Sequence, residues 1–329
     1  MKRLVVLLLT LVLLATGCAS KASFLDAASP VVQQEADLYR TLVVMSAGVF
    51  LVVVGLLIYN ITHHQKKVEQ QDVAPQHYRQ YMIEAIYTGV PILIIIIVFI
   101  MMVGVMQTVA APAAQTGDIH VQVIGHRWWW EFDYPDLKIK TANELHIPAN
   151  ATVQIDVTSL DVIHSFWVPQ LGGKVDAIPG VTNHTWLRGD SIGSFYGQCS
   201  EYCGLNHANM RLTVFVDSKA DFDAWVANQQ NPPAEPQTDL QKTGHDIIVN
   251  GICGACHDLG DDGPGNATGP NLTHLMSRQR FAGDVFDLNA DNLRRWLEDT
   301  QAMKPGNDMD HKFSEQQIEA LMSYLLTLK

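Results

Sequence analysis

The segment CSEYCGLNHANM, residues 199–210, places two cysteines, a histidine and a methionine in one short stretch of chain. Thiolate, imidazole and thioether groups form a soft ligand set, which selects copper over hard cations. A disulfide is the ordinary outcome for two cysteines outside the cytoplasm, but it explains neither the histidine nor the methionine. Zinc suits Cys-x3-Cys with a methionine poorly. Since His164 lies upstream as a second imidazole, the sequence predicts a copper site.

The chain around this segment predicts a domain of short β-strands over residues 116–218. Apolar and polar residues alternate there, as they do in strands with one buried face; the alternating segments are 120–124, 144–147, 152–157 and 211–216. Glycine and proline separate the segments, for example at Pro179-Gly180. A series of such strands predicts a small β-sandwich or barrel.

The first residues of the chain predict export. Residues 1–17 combine a basic start, a short apolar run and small residues, which is typical of a secretory signal peptide. The segment before Cys18 resembles the cleavage site of bacterial lipoproteins, so we expect Cys18 to carry a lipid. Ordinary cleavage without a lipid is the alternative.

Residues 18–115 also contain two stretches long enough to span a membrane. Residues 41–61 and 85–111 carry no charged side chain, and each exceeds the roughly 20 residues that a spanning helix needs. Two buried core helices would instead need a large soluble domain around them. Between the stretches lie the basic residues Lys66, Lys67 and Arg79, so the positive-inside rule predicts a cytoplasmic loop. We therefore expect a helical hairpin whose following domains lie on the outer face.

Composition agrees with a membrane protein and excludes one class of partner. Apolar residues make up 47% of the 329 residues and charged residues only 17%, which argues against a purely soluble enzyme. The net charge is −12, from 22 basic and 34 acidic residues. Because nucleic-acid binding needs a basic face, we expect no nucleic-acid partner, and an acidic surface favours a basic protein partner.

The C-terminal part predicts a haem-binding domain. Three prolines within residues 231–236 indicate a stiff linker over residues 219–239, followed by helical periodicity over residues 240–329. The segment CGACH, residues 253–257, is the attachment signature of c-type haem. It makes Cys253 and Cys256 the thioether positions and His257 the proximal iron ligand, with a zinc or redox Cys-x-x-Cys as the alternative.

The second axial ligand of the haem is expected to be a methionine, which raises the reduction potential. The segment KPGNDM, residues 304–309, resembles the Lys-Pro-Gly-x-x-Met of small bacterial cytochromes c, which favours Met309 over Met303. Met322 falls on the apolar stripe of the last helix and is expected in the core. The segment that begins at Gly269-Pro270 resembles the one whose proline carbonyl accepts a hydrogen bond from the proximal histidine.

From the hairpin to residue 216 the chain resembles subunit II of haem–copper cytochrome c oxidases, and the fused haem domain resembles the caa type. The resemblance implies a multidomain membrane protein with a two-helix transmembrane hairpin, a cupredoxin-like β-sandwich or barrel and a small all-α cytochrome c domain. It further implies that two coppers form the binuclear CuA centre. Their ligands would be the bridging Cys199 and Cys203, the terminal His164 and His207, and weakly bound Met210 and the carbonyl of Glu201.

The same resemblance implies roles for three further residues. Trp128, within GHRWWWEF at residues 125–132, would be the point where electrons reach CuA, whereas the next two tryptophans are expected to pack in the core. The Glu201 carboxylate would bind a Mg²⁺ shared with subunit I. Glu84 would lie at the mouth of a proton channel of subunit I, although Tyr87 stands where the family tends to have tryptophan.

The expected function is electron transfer into a proton-translocating terminal oxidase of the bacterial cytoplasmic (inner) membrane. Electrons would pass from a soluble cytochrome c or another small redox donor through haem c and CuA to subunit I, which reduces O₂ to water. A copper-delivery or stand-alone electron-transfer lipoprotein of the outer membrane face is the alternative. A quinol oxidase subunit would lack the metal ligands, and a nitrous oxide reductase would need a large propeller domain.

Overall fold

The computed structural model describes residues 22–64, 80–110, 119–260 and 268–329. The expected signal peptide, Cys18 and the basic loop residues lie outside this part of the chain. The chain forms two compact units: Val31–Ala111 is one, and the rest of the chain is the other.

The first unit is a pair of long apolar helices. Helix α1 spans Pro30–His64 and helix α2 spans Tyr81–Val109, and each is long and apolar enough to cross a membrane. Their apolar side chains are almost all exposed to the surroundings, as a lipid environment requires. Helix α2 continues through Pro91, and Thr108 Oγ1 donates a 2.8 Å hydrogen bond to Gln34 Oε1 of α1. The predicted hairpin of two apolar helices is therefore confirmed.

The β-domain consists of two five-stranded sheets, with strand orders β3-β2-β1-β5-β8 and β4-β10-β9-β6-β7. The strands are β1 Ile119–His126, β2 Trp129–Tyr134, β3 Ile139–Ala142, β4 Glu144–Pro148, β5 Val153–Ser159, β6 His164–Trp167, β7 Val175–Ala177, β8 Asn183–Leu187, β9 Gly193–Cys199 and β10 Arg211–Asp217. Alternate residues such as Val121, Val123, Ile155 and Val157 are fully buried between the sheets. This arrangement confirms the cupredoxin-like β-sandwich that was expected.

The prediction of a stiff linker over residues 219–239 is wrong for its first half, which is helical. Helix α3 spans Lys219–Gln229, and the Ser218 hydroxyl caps its start by accepting a hydrogen bond from a backbone N–H. Its Trp225 stacks on the His146 ring of β4 with ring centroids 4.5 Å apart, and Phe222 is buried. These contacts fix the helix to the β-domain. The apolar residues Phe222, Trp225 and Val226 stand at helical spacing, a signal that the neighbouring prolines outweighed in the prediction.

In its described residues, 239–260 and 268–329, the haem domain contains four α-helices and one short β-hairpin. The helices are α4 Asp239–Val249, α5 Ala290–Glu298, α6 Thr300–Met303 and α7 Glu315–Leu325, and the hairpin pairs β11 Arg280–Phe281 with β12 Phe286–Asp287. Helices α4 and α7 cross closely at Gly244, where glycine is required because a Cβ would lie 2.1 Å from the carbonyl oxygen of Ala320. Met322 is buried in the core, as predicted.

Candidate metal centre and haem site

The copper-ligand candidates lie where three strands of one sheet end. Strand β6 begins at His164, the neighbouring strand β9 ends at Cys199, and the loop between β9 and β10 carries the remaining candidates. Phe166 pairs with Cys199 across these strands, so His164 lies beside the loop although 35 residues separate it from Cys199. The sheet register therefore brings the upstream imidazole to the cysteines.

The donor atoms form one compact group. The two cysteine Sγ atoms are 3.8 Å apart and unbonded, which excludes a disulfide in this structure. His164 Nδ1 lies 3.9 Å from the Sγ of Cys199, and His207 Nδ1 lies 3.7 Å from the Sγ of Cys203. Each sulfur therefore has its own imidazole nitrogen. Met210 Sδ is 3.8 Å from the Cys203 sulfur, and the Glu201 carbonyl oxygen is 3.2 Å from the Cys199 sulfur.

This group fits a copper centre. A metal–thiolate bond of about 2.3 Å lets one ion contact both of these sulfurs. His164 and Met210 are fully buried and both cysteines are almost so, whereas His207 is half-buried, so the ligand set is largely enclosed by protein. A hydrogen bond from the Cys203 thiol, together with His164, lowers the pKa of Cys199 to about 3 and favours the thiolate form.

Asp161 orients one of the imidazoles, a role that was not predicted from the sequence. His164 Nε2 lies 2.8 Å from Asp161 Oδ1, so a proton on Nε2 leaves Nδ1 free toward the sulfurs. The backbone N–H groups of Arg127 and Val162 each donate a 2.6 Å hydrogen bond to the same carboxylate. Burial alone would raise the pKa of Asp161, but these hydrogen bonds hold it below its usual value. The spacing Asp-x-x-His was the signal that could have revealed it.

Trp128 lies against the copper-ligand loop. Its Nε1 donates a 3.0 Å hydrogen bond to the carbonyl oxygen of Cys203, and only 8% of the residue is exposed. Trp130 is fully buried in the core, as predicted. Trp129 differs from the expectation of core packing alone, because its Nε1 donates a 3.2 Å hydrogen bond to the carbonyl of Thr268 in the haem domain.

The haem-attachment segment forms a single 3₁₀ turn, Cys253–Ala255, close to the end of helix α4. The Nδ1 of His257 lies 2.7 Å from the carbonyl oxygen of Pro270, which leaves Nε2 as the free nitrogen. A Cβ at Gly269 would lie 2.7 Å from the same imidazole ring, so only glycine lets this segment approach. A covalent haem fits these residues. Both thiols are free to form thioether bonds, and the hydrogen bond at Nδ1 leaves the Nε2 of His257 available to bind iron.

The two methionine candidates for the other haem face differ in their surroundings. Met309 packs, together with Cys253, against the apolar core of the haem domain. Met303 is the last residue of helix α6 and lies outside that core cluster. The Met309 backbone is held by a 2.8 Å hydrogen bond from its N–H to Asn307 Oδ1 and by one from the Thr300 hydroxyl to its carbonyl.

The haem domain is attached to the β-domain by buried polar contacts. Glu144, at the start of β4, accepts hydrogen bonds of 2.7 and 2.9 Å from the backbone N–H groups of Gln279 and Arg280. Burial raises the pKa of Glu144 to about 7. On β10, Thr213 donates a 3.0 Å hydrogen bond to Asp284. The haem domain therefore contacts the outer face of β10 at Thr213, which a simple alternating pattern does not predict.

The two remaining candidates are the carboxylates of Glu201 and Glu84. The Glu201 side chain is exposed, and its Oε1 accepts a 3.1 Å hydrogen bond from the N–H of Tyr202. Only its backbone carbonyl faces the cysteines. Glu84 lies in the first turn of helix α2, which belongs to the other compact unit.

Together the fold and the donor groups define a membrane-anchored cupredoxin joined to a c-type cytochrome domain. Residues 17–105 match the family described as the cytochrome c oxidase subunit II transmembrane domain, and residues 137–217 match its periplasmic domain. Residues 241–329 match the cytochrome c family. The chain belongs to the family of cytochrome c oxidase subunit 2.

Relatives of nearly equal length support the assignment. Cytochrome c oxidase subunit 2 of Alkalihalophilus pseudofirmus is 33% identical over 327 residues, which is 97% of this chain and 95% of the relative. The Bacillus subtilis subunit is 33% identical over 349 residues, which is 99% of this chain and 98% of the relative. The crystal structure of the periplasmic domain of the Bradyrhizobium japonicum subunit covers 35% of this chain and 96% of that domain, with 36% identity and a TM-score of 0.34.

Family membership settles the coarse function. The protein is a subunit of a haem–copper terminal oxidase, in which subunit II associates with subunit I. Its periplasmic-domain match implies copper as CuA, and its cytochrome c match implies haem c. The two apolar helices and the transmembrane-domain match fit a protein of the inner membrane.

Proposed function

We propose that this chain receives electrons from a soluble redox donor at haem c and passes them through CuA to subunit I, where O₂ is reduced to water. The observation that carries the proposal is the position of Trp128. The indole bonds to the backbone of the copper-ligand candidate Cys203, while the Trp128 carbonyl accepts a hydrogen bond from Lys304 of the haem domain. Trp128 therefore contacts both the copper-ligand loop of its own domain and the haem domain.

The copper-binding role is assigned to the cluster described above. Cys199 and Cys203 would bridge two coppers, His164 and His207 would be terminal ligands, and Met210 and the Glu201 carbonyl would bind weakly. The largely buried ligand set supports one-electron transfer, because it limits the rearrangement that accompanies a change of charge. When bound, the coppers and the haem supply reversible one-electron chemistry.

The haem-binding role is assigned to residues from two segments. Cys253 and Cys256 would form the thioether bonds, and His257 would bind the iron through Nε2 while Pro270 holds its Nδ1. Met309 would bind the opposite face, since it packs against the same core as Cys253. A thioether ligand favours a high reduction potential, which suits a haem that accepts electrons from a cytochrome c.

The covered position of Trp128 supports the order of transfer. Trp128 is only 8% exposed and Lys304 of the haem domain bonds to its backbone, so a soluble donor meets the haem domain before it can reach the indole. Residues 240–329 carry 8 basic and 13 acidic side chains. This acidic domain favours a basic donor protein.

The loop tips beside the copper cluster support a surface for subunit I. Tyr202 and Leu205 are 75% and 74% exposed, and Ile163, next to His164, is 47% exposed. Apolar side chains grouped around a redox centre suit burial against a partner subunit. Between them the exposed Glu201 carboxylate would share a Mg²⁺ with subunit I. Glu84 would lie at the mouth of a proton channel of that subunit.

The membrane arrangement is part of the same proposal. The loop between α1 and α2 would face the cytoplasm, and the cupredoxin domain (116–218) and haem domain (240–329) would face the periplasm. Residues 1–17 would be removed as a signal peptide, and Cys18 would carry a lipid.

The test is reduction of the haem in the purified chain by a short light pulse, followed by the absorbance of haem and copper. We expect the haem to be reoxidised as the copper is reduced, and a Cys203→Ser chain to keep its haem reduced. Metal analysis should give two coppers per haem. Copper that never receives the electron contradicts the proposed path, and one copper per chain favours a copper-delivery protein.

A further inference from the structure

Lys304, the first residue of the Lys-Pro-Gly segment, is a buried cation. Only 4% of the residue is exposed, and its Nζ donates three hydrogen bonds to backbone carbonyls. The acceptors are the oxygens of Trp128 at 3.0 Å, Asn209 at 3.1 Å and Ala282 at 2.9 Å. An ammonium group has three N–H donors, so its hydrogen bonding is complete.

No carboxylate of the described residues 22–64, 80–110, 119–260 and 268–329 forms an ion pair with this ammonium group. Burial lowers the pKa of Lys304 to about 8. Burying a charge is costly unless hydrogen bonds replace its water, and a lysine in a small cytochrome domain is ordinarily exposed. The three carbonyl oxygens must therefore offset the free-energy cost of burying the ammonium group, and they hold it in this position.

Those carbonyls come from both domains. Trp128 and Asn209 belong to the β-domain, and Asn209 immediately precedes the copper-ligand candidate Met210, whereas Ala282 lies in the β11–β12 turn of the haem domain. The neighbouring Gly283 leaves room for the contact. A Cβ there would lie 2.6 Å from the Asn209 oxygen, 2.7 Å from Lys304 Nζ and 2.8 Å from the Trp128 oxygen.

The segment from Lys304 to Met309 is braced by its own hydrogen bonds. Asn307 Nδ2 donates to the Lys304 carbonyl at 2.7 Å, and Asn307 Oδ1 accepts from the Met309 N–H at 2.8 Å. A second contact across the interface runs from Asn206 Nδ2 to the Pro305 carbonyl at 2.8 Å. A displacement of the ammonium group would therefore move the whole segment that ends at Met309.

We propose that Lys304 is a positioning residue for electron transfer between the two redox centres. Its ammonium group fixes the Met309 segment against Trp128 and against the loop that carries Met210. The inference rests on the proposed function, because it concerns the step from haem to copper. It gives the lysine of this segment a role separate from that of the methionine five residues later.

The first experiment compares Lys304→Met with Lys242→Met in the whole purified chain. Lys242 is an exposed lysine of the same domain, paired with Asp239. We expect the haem-to-copper rate to fall roughly 10–100-fold in Lys304→Met, because small misplacements of reacting groups have effects of that size. The Lys242→Met rate should equal that of the wild type. Covalent haem, the sulfur–iron absorption band and the copper EPR spectrum should be retained, which separates positioning from loss of a centre.

An unchanged rate in Lys304→Met, with fast transfer in the wild-type chain, would overturn the role of Lys304 and leave the proposed function intact. A wild-type chain without transfer from haem to copper would overturn the proposed function and this inference with it.

A second measurement needs no variant, so a folding defect cannot obscure it. Reductive methylation of the wild-type chain, followed by mass spectrometry, compares Lys304 with the exposed Lys242 and Lys312. We expect the methylation rate of Lys304 to be lower than that of the two exposed lysines by roughly tenfold or more, because its amine is freed only when the domains separate. Equal reactivity of the three lysines would show that the ammonium group is not held between the domains.

Discussion

The indole N–H of Trp128 donates a 3.0 Å hydrogen bond to the carbonyl oxygen of Cys203. The ring also lies against the next residue, since a Cβ at Gly204 would be 3.2 Å from it. Gly204 has a φ of +112°, a conformation that side chains rarely adopt. The copper-ligand loop is thus shaped to receive the indole, and a single hydrogen bond separates the aromatic ring from a proposed bridging cysteine.

Replacing Trp128 by phenylalanine should slow electron transfer from haem to copper. Phe keeps an aromatic ring but removes the donor to Cys203, a contact worth about 1 kcal/mol. We expect a fall of roughly tenfold in the rate after photoreduction of the haem, because the ring loses its fixed position. Trp225→Phe is the control, since the Trp225 ring of helix α3 packs on Tyr134 and His146, which the redox sites do not use. Equal slowing in both variants would contradict a special role for Trp128.

Asp161→Asn should weaken copper binding without unfolding the β-domain. The asparagine loses the negative charge, and its NH2 group must face at least one of the N–H donors that the carboxylate accepts from. Substitution of such an orienting partner typically costs 10–100-fold in metal affinity. Competition with a copper chelator, followed by EPR, measures the change. Asp156→Asn serves as control, because Asp156 pairs with His120 and His184 instead of a ligand candidate. The idea fails if both asparagine variants hold copper as firmly as the wild type.

Met309→Leu should remove the sulfur ligand of the haem while the thioether bonds to Cys253 and Cys256 keep the haem attached. We expect loss of the weak near-infrared band of a sulfur–iron bond and a lower reduction potential. Met303→Leu should retain both, since Met303 lies outside the core cluster that holds Met309. If the band disappears only in Met303→Leu, the ligand is Met303.

The sequence predicted the local features well, because each has a short-range signature. Strands β1, β4, β5 and β10, the haem-attachment segment and the two apolar helices all follow from spacing or periodicity. The start of α7 also has a short-range signature, since Gln317 follows Ser314 at the capping-box distance and both hydrogen bonds form.

The contacts between domains could not be predicted in the same way. Lys304 and Glu144 are of residue types that are usually exposed to solvent, yet only 4% of Lys304 and 3% of Glu144 are exposed. Their partners are backbone groups from distant segments, and a backbone group has no sequence signature. Asp161 differs from these two residues, because its Asp-x-x-His spacing was available in the sequence and the fold adds the contact between the carboxylate and Nε2 of His164.

The last prediction concerns Glu144, whose burial raises its pKa from 4.5 to about 7 despite two hydrogen bonds from backbone N–H groups. The folded protein therefore holds this proton more tightly than the unfolded chain does. The stabilising effect is complete below about pH 4.5 and is lost as the pH rises through about 7. At about 1.4 kcal/mol for each pKa unit, the free energy of unfolding should fall by roughly 3 kcal/mol across this window.

Glu144→Gln should flatten most of this decline, because the amide oxygen still accepts from the N–H groups of Gln279 and Arg280 but does not ionise. Asp284, whose pKa burial raises to about 6, acts in the same direction and should leave a smaller slope. Denaturation of the purified chain at several pH values, followed by tryptophan fluorescence, measures the difference. Glu298→Gln, an exposed change in α5, controls for the loss of a surface charge. A Glu144→Gln chain that loses stability with rising pH as steeply as the wild type would show that the buried Glu144 carboxylate does not set the pH dependence of the domain contact.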